Sequence, residues 1–461
     1  MIVDRLDHRV SDGRYELSAR IRPERGAERR LWFRFPEAFA PAGPPDASPF
    51  LVALVAWSMR HGEDLELEAP VSPSLLGASR EIVSVYQSLR PAEMREVAIS
   101  APEGEPPAPN EITACYFTRG ADSWFAVLTA LEDEPHTPPL THAVFSPDFL
   151  SEECDDAYVR NAVAGARRAA ESLGLEVIHA ETNVRREVRG AHLAATALAL
   201  GPRRMLIPSG AMRGEITPAG THPALDHRFS IERTQVVHFG DASRLAKVRR
   251  ISRSELALHD LRVCRVEDVE DDRNCCRCEK CVRTMVELHI AGSLERSRSF
   301  DLPLTPEAVA RLMLRLTRRH QWIDALHSLG SSRFDRRIAA AIRMVVTRSD
   351  LLSAFDQAKA LAVDPEAASL GRGLLPLARR TRDPSWLLHR LLGGSVGAWL
   401  ADAGGLRVAA RRTRDQLRAN GGRRRNGSDP PRIKIAPRSE VADGGPSAPA
   451  EPERAWDPYP R

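Results

Sequence analysis

Four cysteines have the spacing of a metal site. Cys264 is followed by Cys275, Cys278 and Cys281, which gives the pattern C-x10-C-x2-C-x2-C. Thiolates are soft ligands, and four of them in a tetrahedron suit Zn²⁺ because this ion imposes no geometry of its own. The spacing therefore predicts a four-cysteine zinc site, with an iron–sulfur cluster as the alternative metal group. Buried apolar cysteines are the interpretation without a metal.

The other cysteines have no such pattern. Cys276 lies between two expected ligands and could replace one of them, Cys115 falls inside a predicted strand, and Cys154 stands at a predicted helix start. Cysteines that close disulfide loops are spread along a chain, whereas these are clustered. The first residues also lack the pattern of a signal peptide. We therefore expect reduced thiols and a cytoplasmic protein.

A second motif, FTRGADS at residues 117–123, directly follows a predicted strand, Thr113–Phe117. It opens a predicted helix, Asp122–Glu132. The start of a helix presents unpaired N–H groups and the positive end of the helix dipole to an anion. The position therefore predicts phosphate binding, and an ordinary capped helix after a strand is the alternative.

The side chains of this loop suit the same chemistry. Thr118 and Ser123 offer hydroxyl donors, and Gly120 lets the backbone approach a ligand closely. Arg119 offers a guanidinium fork to phosphate oxygens. Asp122 can cap the helix or hold Mg²⁺.

The loop resembles the S-G-G-x-D-S motif of the ATP pyrophosphatase (PP-loop) superfamily, also called adenine nucleotide alpha-hydrolase-like. Thr118 replaces the first Ser and keeps its hydroxyl, whereas Arg119 replaces the first Gly and adds bulk beside the phosphates. The resemblance implies that Arg119, Asp122 and Ser123 are catalytic. It implies ATP and Mg²⁺ binding by Thr118, Arg119, Gly120, Ala121, Asp122 and Ser123, with further contacts from Ser146, Ser209 and Gly210 after later strands.

The cysteine set is similar to the zinc site of the 7-cyano-7-deazaguanine synthases, a PP-loop family with a first Cys followed by C-G-x-C-x-x-C. Cys276 stands at the Gly position. In that family the zinc is structural, and ATP activates a carboxylate. The two resemblances together cover residues 111–295 and imply an adenylating, ligase-like enzyme that releases pyrophosphate and forms a C–N bond. A catalytically degenerate nucleotide-binding or interaction protein and a tRNA-modifying PP-loop enzyme are the alternatives.

A polar segment follows the fourth predicted strand. It contains His222, Asp226, His227, Glu232 and Arg233. Loops after strand ends often carry recognition residues. The segment is a candidate for substrate recognition, and a solvated connection is the alternative.

The middle of the chain alternates between strand and helix patterns. The predicted strands are Thr113–Phe117, Thr141–Phe145, Leu175–His179, Arg204–Ile207 and Gln235–His238, and the helices are Asp122–Glu132, Asp155–Leu173 and Ala191–Leu200. This alternation predicts an α/β fold with a parallel, doubly wound sheet of the HUP/PP-loop type, whose ligands bind at the carboxyl ends of the strands. Leu261–Val263 is predicted as a further strand ending at Cys264.

Four regions are expected. Residues 1–105 form an α+β region that includes a hairpin of Tyr15–Ile21 and Leu31–Phe35 and two candidate helices, Phe50–Met59 and Arg80–Leu89. A proline-rich stretch at 102–109 marks the end of this region. The nucleotide-binding α/β domain with the four-cysteine metal knot covers residues 110–298, a helical region covers 299–419, and a disordered tail covers 420–461. The helices predicted in the helical region are Pro306–Arg318, Phe334–Thr347, Leu351–Leu361, Trp386–Leu392, Val396–Ala401 and Leu406–Ala419.

Composition excludes several classes of protein. The 461 residues include 66 Lys and Arg and 62 Asp and Glu, and only 5% are aromatic. The near-neutral charge and the few aromatics disfavour nucleic acid as a partner. No apolar run approaches the roughly 18 residues of a membrane span. The expected partners are ATP and a small-molecule substrate, with no membrane contact and with homodimer formation left open.

Overall fold

A computed structural model describes residues 1–133, 138–147, 156–184, 189–210, 222–264, 273–314 and 318–363. The chain divides into two compact units. Of the described residues, the first unit contains those within Met1–Val309 and Thr317–Ile342, and the second contains those within Ala310–Leu316 and Arg343–Val363. Both sheets and every candidate site residue belong to the first unit.

The first sheet is built around an N-terminal meander. β1 (Ile2–Ser11), β2 (Arg14–Arg22) and β3 (Arg29–Pro36) pair antiparallel. The predicted hairpin is therefore confirmed, and Gly26 in its turn has a φ of +117°. β4 (Leu65–Leu67) and β5 (Ile99–Ser100) extend the sheet beyond β1 in parallel.

Two helices accompany this sheet. α1 (Ser48–His61) and α2 (Pro73–Leu89) contain the predicted helical segments Phe50–Met59 and Arg80–Leu89. The middle of α1 is buried on almost every side, which explains its continuous apolar sequence. Ser72 caps α2 by accepting a hydrogen bond from the backbone N–H of Leu75.

The second sheet confirms the five strands predicted for an α/β region. β6 (Asn110–Tyr116), β7 (His142–Phe145), β8 (Glu176–His179), β10 (Pro202–Pro208) and β11 (Gln235–Phe239) are all parallel, in the order β11-β10-β6-β7-β8. The chain starts in the centre, moves outward to β8, and returns to the other side of β6. The carboxyl ends of the strands therefore lie at one edge, with the FTRGADS loop between those of β7 and β10.

The connecting helices match their predicted positions. α3 (Ala121–Leu128) follows β6 and continues as a π-helical turn over Thr129–Asp133, α4 (Asp156–Glu171) precedes β8, and α5 (Arg189–Leu200) precedes β10. α3 belongs to a core shared with later helices, whereas α5 belongs to the core of the N-terminal sheet. The second sheet is thus covered on both faces, as its apolar strands require.

The proline-rich stretch at 102–109 does not separate two cores. β9 (Glu181–Thr182) lies between β8 and α5 in the chain, yet it pairs with β3 in the first sheet. The side chain of Asn183 bonds the backbone of β3, and α5 packs against α1. Residues 1–105 and the α/β region consequently share one hydrophobic core.

Leu261–Val263 is not a strand, contrary to the prediction. The segment follows α7 (Glu255–Asp260) in extended form, but its backbone bonds run to loops. The N–H of Arg262 donates to the carbonyl of Arg119, and the N–H of Val263 donates to the side chain of Asn274. The backbone of this segment pairs with loops and not with a neighbouring strand, so the segment does not join a sheet.

The helical prediction after residue 299 holds only in part. The predicted helix Pro306–Arg318 is reduced to α9 (Pro306–Ala310), and two predicted helices, Phe334–Thr347 and Leu351–Leu361, are one continuous α11 (Arg333–Val363). α6 (Arg244–Ile251) and α8 (Glu279–Ile290) were not predicted. α10 (Arg319–Ser328) lies in the region predicted as helical, but it was not predicted as a separate helix. Residues 364–461, which include the rest of the helical region and the tail, lie outside the described residues. Of the helices described, none has both the length and the apolarity to cross a membrane.

We expect Phe33→Ala to destabilise both sheets together. Phe33 is fully buried on β3, next to β9 and against Phe50. Losing such a ring costs roughly 3–5 kcal/mol of the free energy of unfolding. Urea unfolding followed by hydrogen exchange should show amides of β3 and β6 losing protection at the same lower urea concentration.

The control is Val10→Ala, because Val10 is 49% exposed and its truncation should leave unfolding almost unchanged. Persistent protection of β6 in Phe33→Ala, after β3 has lost its own, would contradict a shared core.

Candidate functional site

The four predicted ligand cysteines come together. The sulfur atoms of Cys264, Cys275, Cys278 and Cys281 all lie within 4.8 Å of one another. Adjacent sulfurs are 3.9, 3.8 and 3.4 Å apart. Zn–S bonds of about 2.3 Å in a tetrahedron place the sulfurs about 3.8 Å apart, so the spacing fits this ion. Among the described residues, this is the one group of three or more Cys, His, Asp or Glu side chains placed closely enough to hold a metal ion together.

Crowding of the thiols shows why a cation suits this cluster. Hydrogen bonding with Cys264 raises the pKa of Cys278 to about 12, and hydrogen bonds with Cys264 and Cys278 also raise the pKa of Cys281. Neighbouring thiolates repel each other, so the sulfurs resist deprotonation without a cation. A bound divalent ion reverses this preference and makes the thiolate the stable form.

Cys276 is not part of the cluster. Its backbone has a φ of +56°, and its buried thiol donates to the carbonyl of Asn274. The left-handed backbone turns the chain between Cys275 and Cys278 so that both point toward the common centre. Cys115 is fully buried in β6, as expected for a core residue, and Cys154 lies outside the described residues.

Asn274 joins the cysteine cluster to the rest of the fold. Its side-chain oxygen accepts hydrogen bonds from the N–H groups of Val263 and Cys264. Its amide nitrogen donates to the carbonyls of Leu261 and Ser299. One buried side chain therefore bonds two other stretches of backbone, residues 261–264 and Ser299, and the first of these leads into Cys264.

The FTRGADS loop closes on itself. The hydroxyl of Ser123 accepts from the N–H of Thr118 at 3.2 Å and donates to the carbonyl of Gly120 at 3.0 Å. Gly120 is the N-cap of α3, with an extended φ of −71°. The loop therefore approaches the helix start in a fixed conformation, with the first N–H groups of α3 at the carboxyl edge of the sheet.

Arg119 supplies the left-handed residue of the loop. Its φ is +58°, and its guanidinium lies within 3.1 Å of Asp260. A Cβ on Gly165 would lie 2.5 Å from that guanidinium, so α4 leaves room for it only through this glycine. The backbone of Arg119 thus belongs to the loop, while its side chain lies between α4 and the end of α7.

Asp122 meets two cations that sequence reasoning did not assign to the site. Lys247 of α6 places its ammonium 3.0 Å from the Asp122 carboxylate and also donates to the carbonyl of Ser209. Arg244 lies 3.8 Å from the other carboxylate oxygen. Partial burial raises the pKa of Asp122, but the charges of Lys247 and Arg244 outweigh it and hold that pKa below its ordinary value.

A third cation extends this charged group. Arg283 of α8 is buried, and its Nε lies 3.1 Å from Glu279. Its charge also helps to lower the pKa of Asp122. Arg244 in turn pairs with the buried Glu287 at 3.1 Å. Three cations and three carboxylates thus meet beside the start of α3, and most of this charge is buried.

The remaining predicted contacts lie on both sides of the loop. Ser146 follows β7 and is 1% exposed, and Ser209 follows β10 and is equally buried. The N–H of Ser209 donates to the carbonyl of Phe239, which ties the ends of β10 and β11 together. Gly210 is the next residue, and residues 211–221 lie outside those described. Lys247 therefore bridges the FTRGADS loop to the turn predicted as the second contact.

The polar segment around residue 226 supports the fold instead of lining the loop. Asp226 is fully buried and accepts from the ring of His238 on β11 at 2.7 Å. Glu232 bonds Ser72 and Ser74 at the start of α2. These contacts give its most polar residues a structural role.

The comparisons with known proteins add no family. Protein-family models, curated proteins and solved structures all show no match to this chain.

Lys247 brings the FTRGADS loop, through Asp122, together with Ser209. Lysine is rare in this sequence, with only Lys247, Lys280, Lys359 and Lys434, and that rarity was the available signal for Lys247.

We expect one zinc ion per chain, held by the four cysteines. Cys281→Ser removes a fully buried ligand and should reduce the zinc content, measured by elemental analysis, to near zero. Cys276→Gly is the matched control, because its backbone is already glycine-like, and it should keep the ion. Iron with inorganic sulfide in the wild type, or loss of zinc in Cys276→Gly, would contradict this assignment.

Proposed function

We propose that this protein is an ATP-dependent adenylating enzyme of the PP-loop type. The observation that carries the proposal concerns two positions at which the PP-loop motif or the synthase cysteine motif has a glycine and this chain has another residue. Arg119 and Cys276 both have a left-handed φ, of +58° and +56°. Only four non-glycine residues in the described part of the chain have a positive φ. The chain thus keeps a glycine-type backbone in both motifs.

The position of the loop supports the same proposal. The order β11-β10-β6-β7-β8 corresponds to a doubly wound sheet, in which ligands bind where the strand order reverses. The loop follows β6, the strand at which this reversal occurs. We therefore assign the HUP/PP-loop fold as part of the proposal.

The charges around Asp122 suit a triphosphate. N–H groups of residues 119–123 would hold phosphate oxygens, as at other helix starts. Lys247 and Arg244 would pair with these oxygens, because both already lie beside the helix start. Asp122 would hold Mg²⁺, which supplies positive charge to the departing pyrophosphate.

The proposed reaction has two steps. A carboxylate oxygen of the substrate attacks the α-phosphorus of ATP, the bond from this phosphorus to the bridging oxygen breaks, and pyrophosphate leaves. An amine or ammonia then attacks the acyl carbon and AMP leaves, so that a C–N bond forms. The protein contributes positioning and charge stabilisation, which suffice for adenylation without a dedicated general base. An ion held by Cys264, Cys275, Cys278 and Cys281 would have a structural role, since it would hold the segment bonded to Arg119.

A nucleotide-binding protein without turnover is the second candidate. One contact favours it, because Asp122 is already neutralised by Lys247 at 3.0 Å and so is not open to Mg²⁺ in this conformation. Turnover requires this ion pair to separate when ATP and Mg²⁺ bind. The two candidates therefore share ATP binding and differ in the release of pyrophosphate.

We expect ATP and Mg²⁺ to stabilise the protein against thermal unfolding through Lys247. Saturation at about 100 times the dissociation constant adds about 2.7 kcal/mol, and a tenfold weaker site in Lys247→Met loses about 1.4 kcal/mol of this. Differential scanning fluorimetry measures both shifts.

Arg249→Met is the control, since Arg249 is an exposed cation on the same helix. It should retain the full shift. Equal shifts in the wild type and Lys247→Met would place the nucleotide elsewhere.

Turnover is tested by pyrophosphate release with a panel of small carboxylates. We expect Ser123→Ala to lower kcat/KM at least tenfold, because the loop loses the hydroxyl that holds the Thr118 N–H and the Gly120 carbonyl. Pyrophosphate release without loss in this variant would contradict the enzyme assignment. ATP binding with no pyrophosphate release from any carboxylate would favour the second candidate.

A further inference from the structure

Two residues of α8 hold the guanidinium of Arg244. Its Nε donates to the carboxylate of Glu287 at 3.1 Å, and its Nη2 donates to the hydroxyl of Thr284 at 3.0 Å. Glu287 is 1% exposed and Thr284 is fully buried. The two residues are three positions apart on one helix, so their side chains lie on the same face. Thr284 and Glu287 are called the clamp of Arg244 below.

The third nitrogen of this guanidinium faces the start of α3. Nη1 of Arg244 lies 3.8 Å from Oδ2 of Asp122, the second residue of that helix. This distance is that of an ion pair and exceeds the length of a hydrogen bond. A guanidinium is planar and rigid, so fixing Nε and Nη2 also fixes the direction in which Nη1 donates. The clamp therefore directs one end of Arg244 toward the FTRGADS loop.

The helix that carries the clamp is itself well anchored. Cys278 is the N-cap of α8 and Cys281 lies in its first turn, so two members of the cysteine cluster stand at its start. Glu279 in the same turn accepts a hydrogen bond from the indole of Trp322 at 3.0 Å. Residues 281–288 are all buried. An arginine held by such a helix loses little rotamer freedom when it binds an anion, whereas a mobile arginine loses much.

We propose that Thr284 and Glu287 are positioning residues, which hold Arg244 so that it binds the pyrophosphate part of ATP. The role of the clamp rests on the proposed function, in which the departing pyrophosphate lies beside Asp122. When Asp122 leaves Arg244 to bind Mg²⁺, a phosphate oxygen takes its place at Nη1. Guanidinium nitrogens match phosphate oxygens in charge and geometry. The clamp thus makes affinity depend on the β- and γ-phosphates, which AMP lacks.

The test is calorimetric titration with ATP, inorganic pyrophosphate and AMP, each in the presence of Mg²⁺. Thr284→Val keeps the shape and the charge of the site but removes the hydroxyl that holds Nη2. We expect this variant to bind ATP and pyrophosphate about fivefold more weakly, which is the effect of one hydrogen bond. Its affinity for AMP should stay within about twofold of the wild type.

Two controls separate the hydroxyl from other effects of the substitution. Thr284→Ser keeps the hydroxyl and should restore the pyrophosphate affinity of the wild type. Thr196→Val makes the same change at another fully buried threonine, on α5, where the hydroxyl bonds the carbonyl of His192. It should leave all three affinities within about twofold of the wild type.

Arg244→Lys tests whether the clamp acts through Arg244. Lysine keeps the charge, but its ammonium has no planar fork with which to bond both clamp residues and a phosphate at once. We expect this variant to bind pyrophosphate about fivefold more weakly or worse, and Thr284→Val to cause no further loss when it is added. A full additional loss in the double variant would show that Thr284 acts elsewhere and would overturn the proposal.

The outcomes distinguish the clamp from the proposed function. Unchanged pyrophosphate affinity in Thr284→Val, or an equal loss of affinity for AMP, would overturn the clamp while ATP binding by the wild type stood. Weaker pyrophosphate binding in this variant, with no turnover of any carboxylate by the wild type, would support the clamp and contradict the adenylating enzyme. The absence of saturable ATP and pyrophosphate binding up to roughly 10 mM in the wild type would overturn both.

Discussion

The side chain of Asn274 is the contact on which both candidate sites depend. It bonds the backbone on either side of Arg262, and the N–H of Arg262 in turn bonds the carbonyl of Arg119. The amide of Asn274 both accepts from backbone N–H groups and donates to backbone carbonyls. It therefore satisfies the backbone groups of irregular segments that have no strand or helix partner. The cysteine cluster and the FTRGADS loop are both attached to this one short segment.

Charge is concentrated beside the start of α3. There each buried cation has a carboxylate partner, so the group is stable without a ligand. Removing a charge from water is costly unless it is paired. A ligand that binds at this group must therefore displace existing ion pairs.

The backbone and the side chain of Arg119 make separate contributions. A left-handed φ lets the chain turn into α3, and the guanidinium leaves the loop to reach Asp260 and Gly165. Glycine could make the same turn, but it would leave Asp260 without this partner. From the sequence, the arginine at position 119 was expected to add bulk beside the phosphates. Its side chain instead lies away from the start of α3, so the helix start is left clear.

The sequence by itself determined the strands of the parallel sheet, the helices between them, the ligand set of the cysteine cluster and the place of the loop. All of these follow from patterns within about twenty residues, such as apolar runs, short spacings and a glycine before a helix. Only the tertiary structure decided that Lys247 pairs with Asp122, 125 positions earlier, that β9 joins the N-terminal sheet, and that Leu261–Val263 is not a strand. Each of these depends on the hydrogen-bond or charge partner that the fold brings to a residue, and no local pattern specifies a partner so distant in the chain.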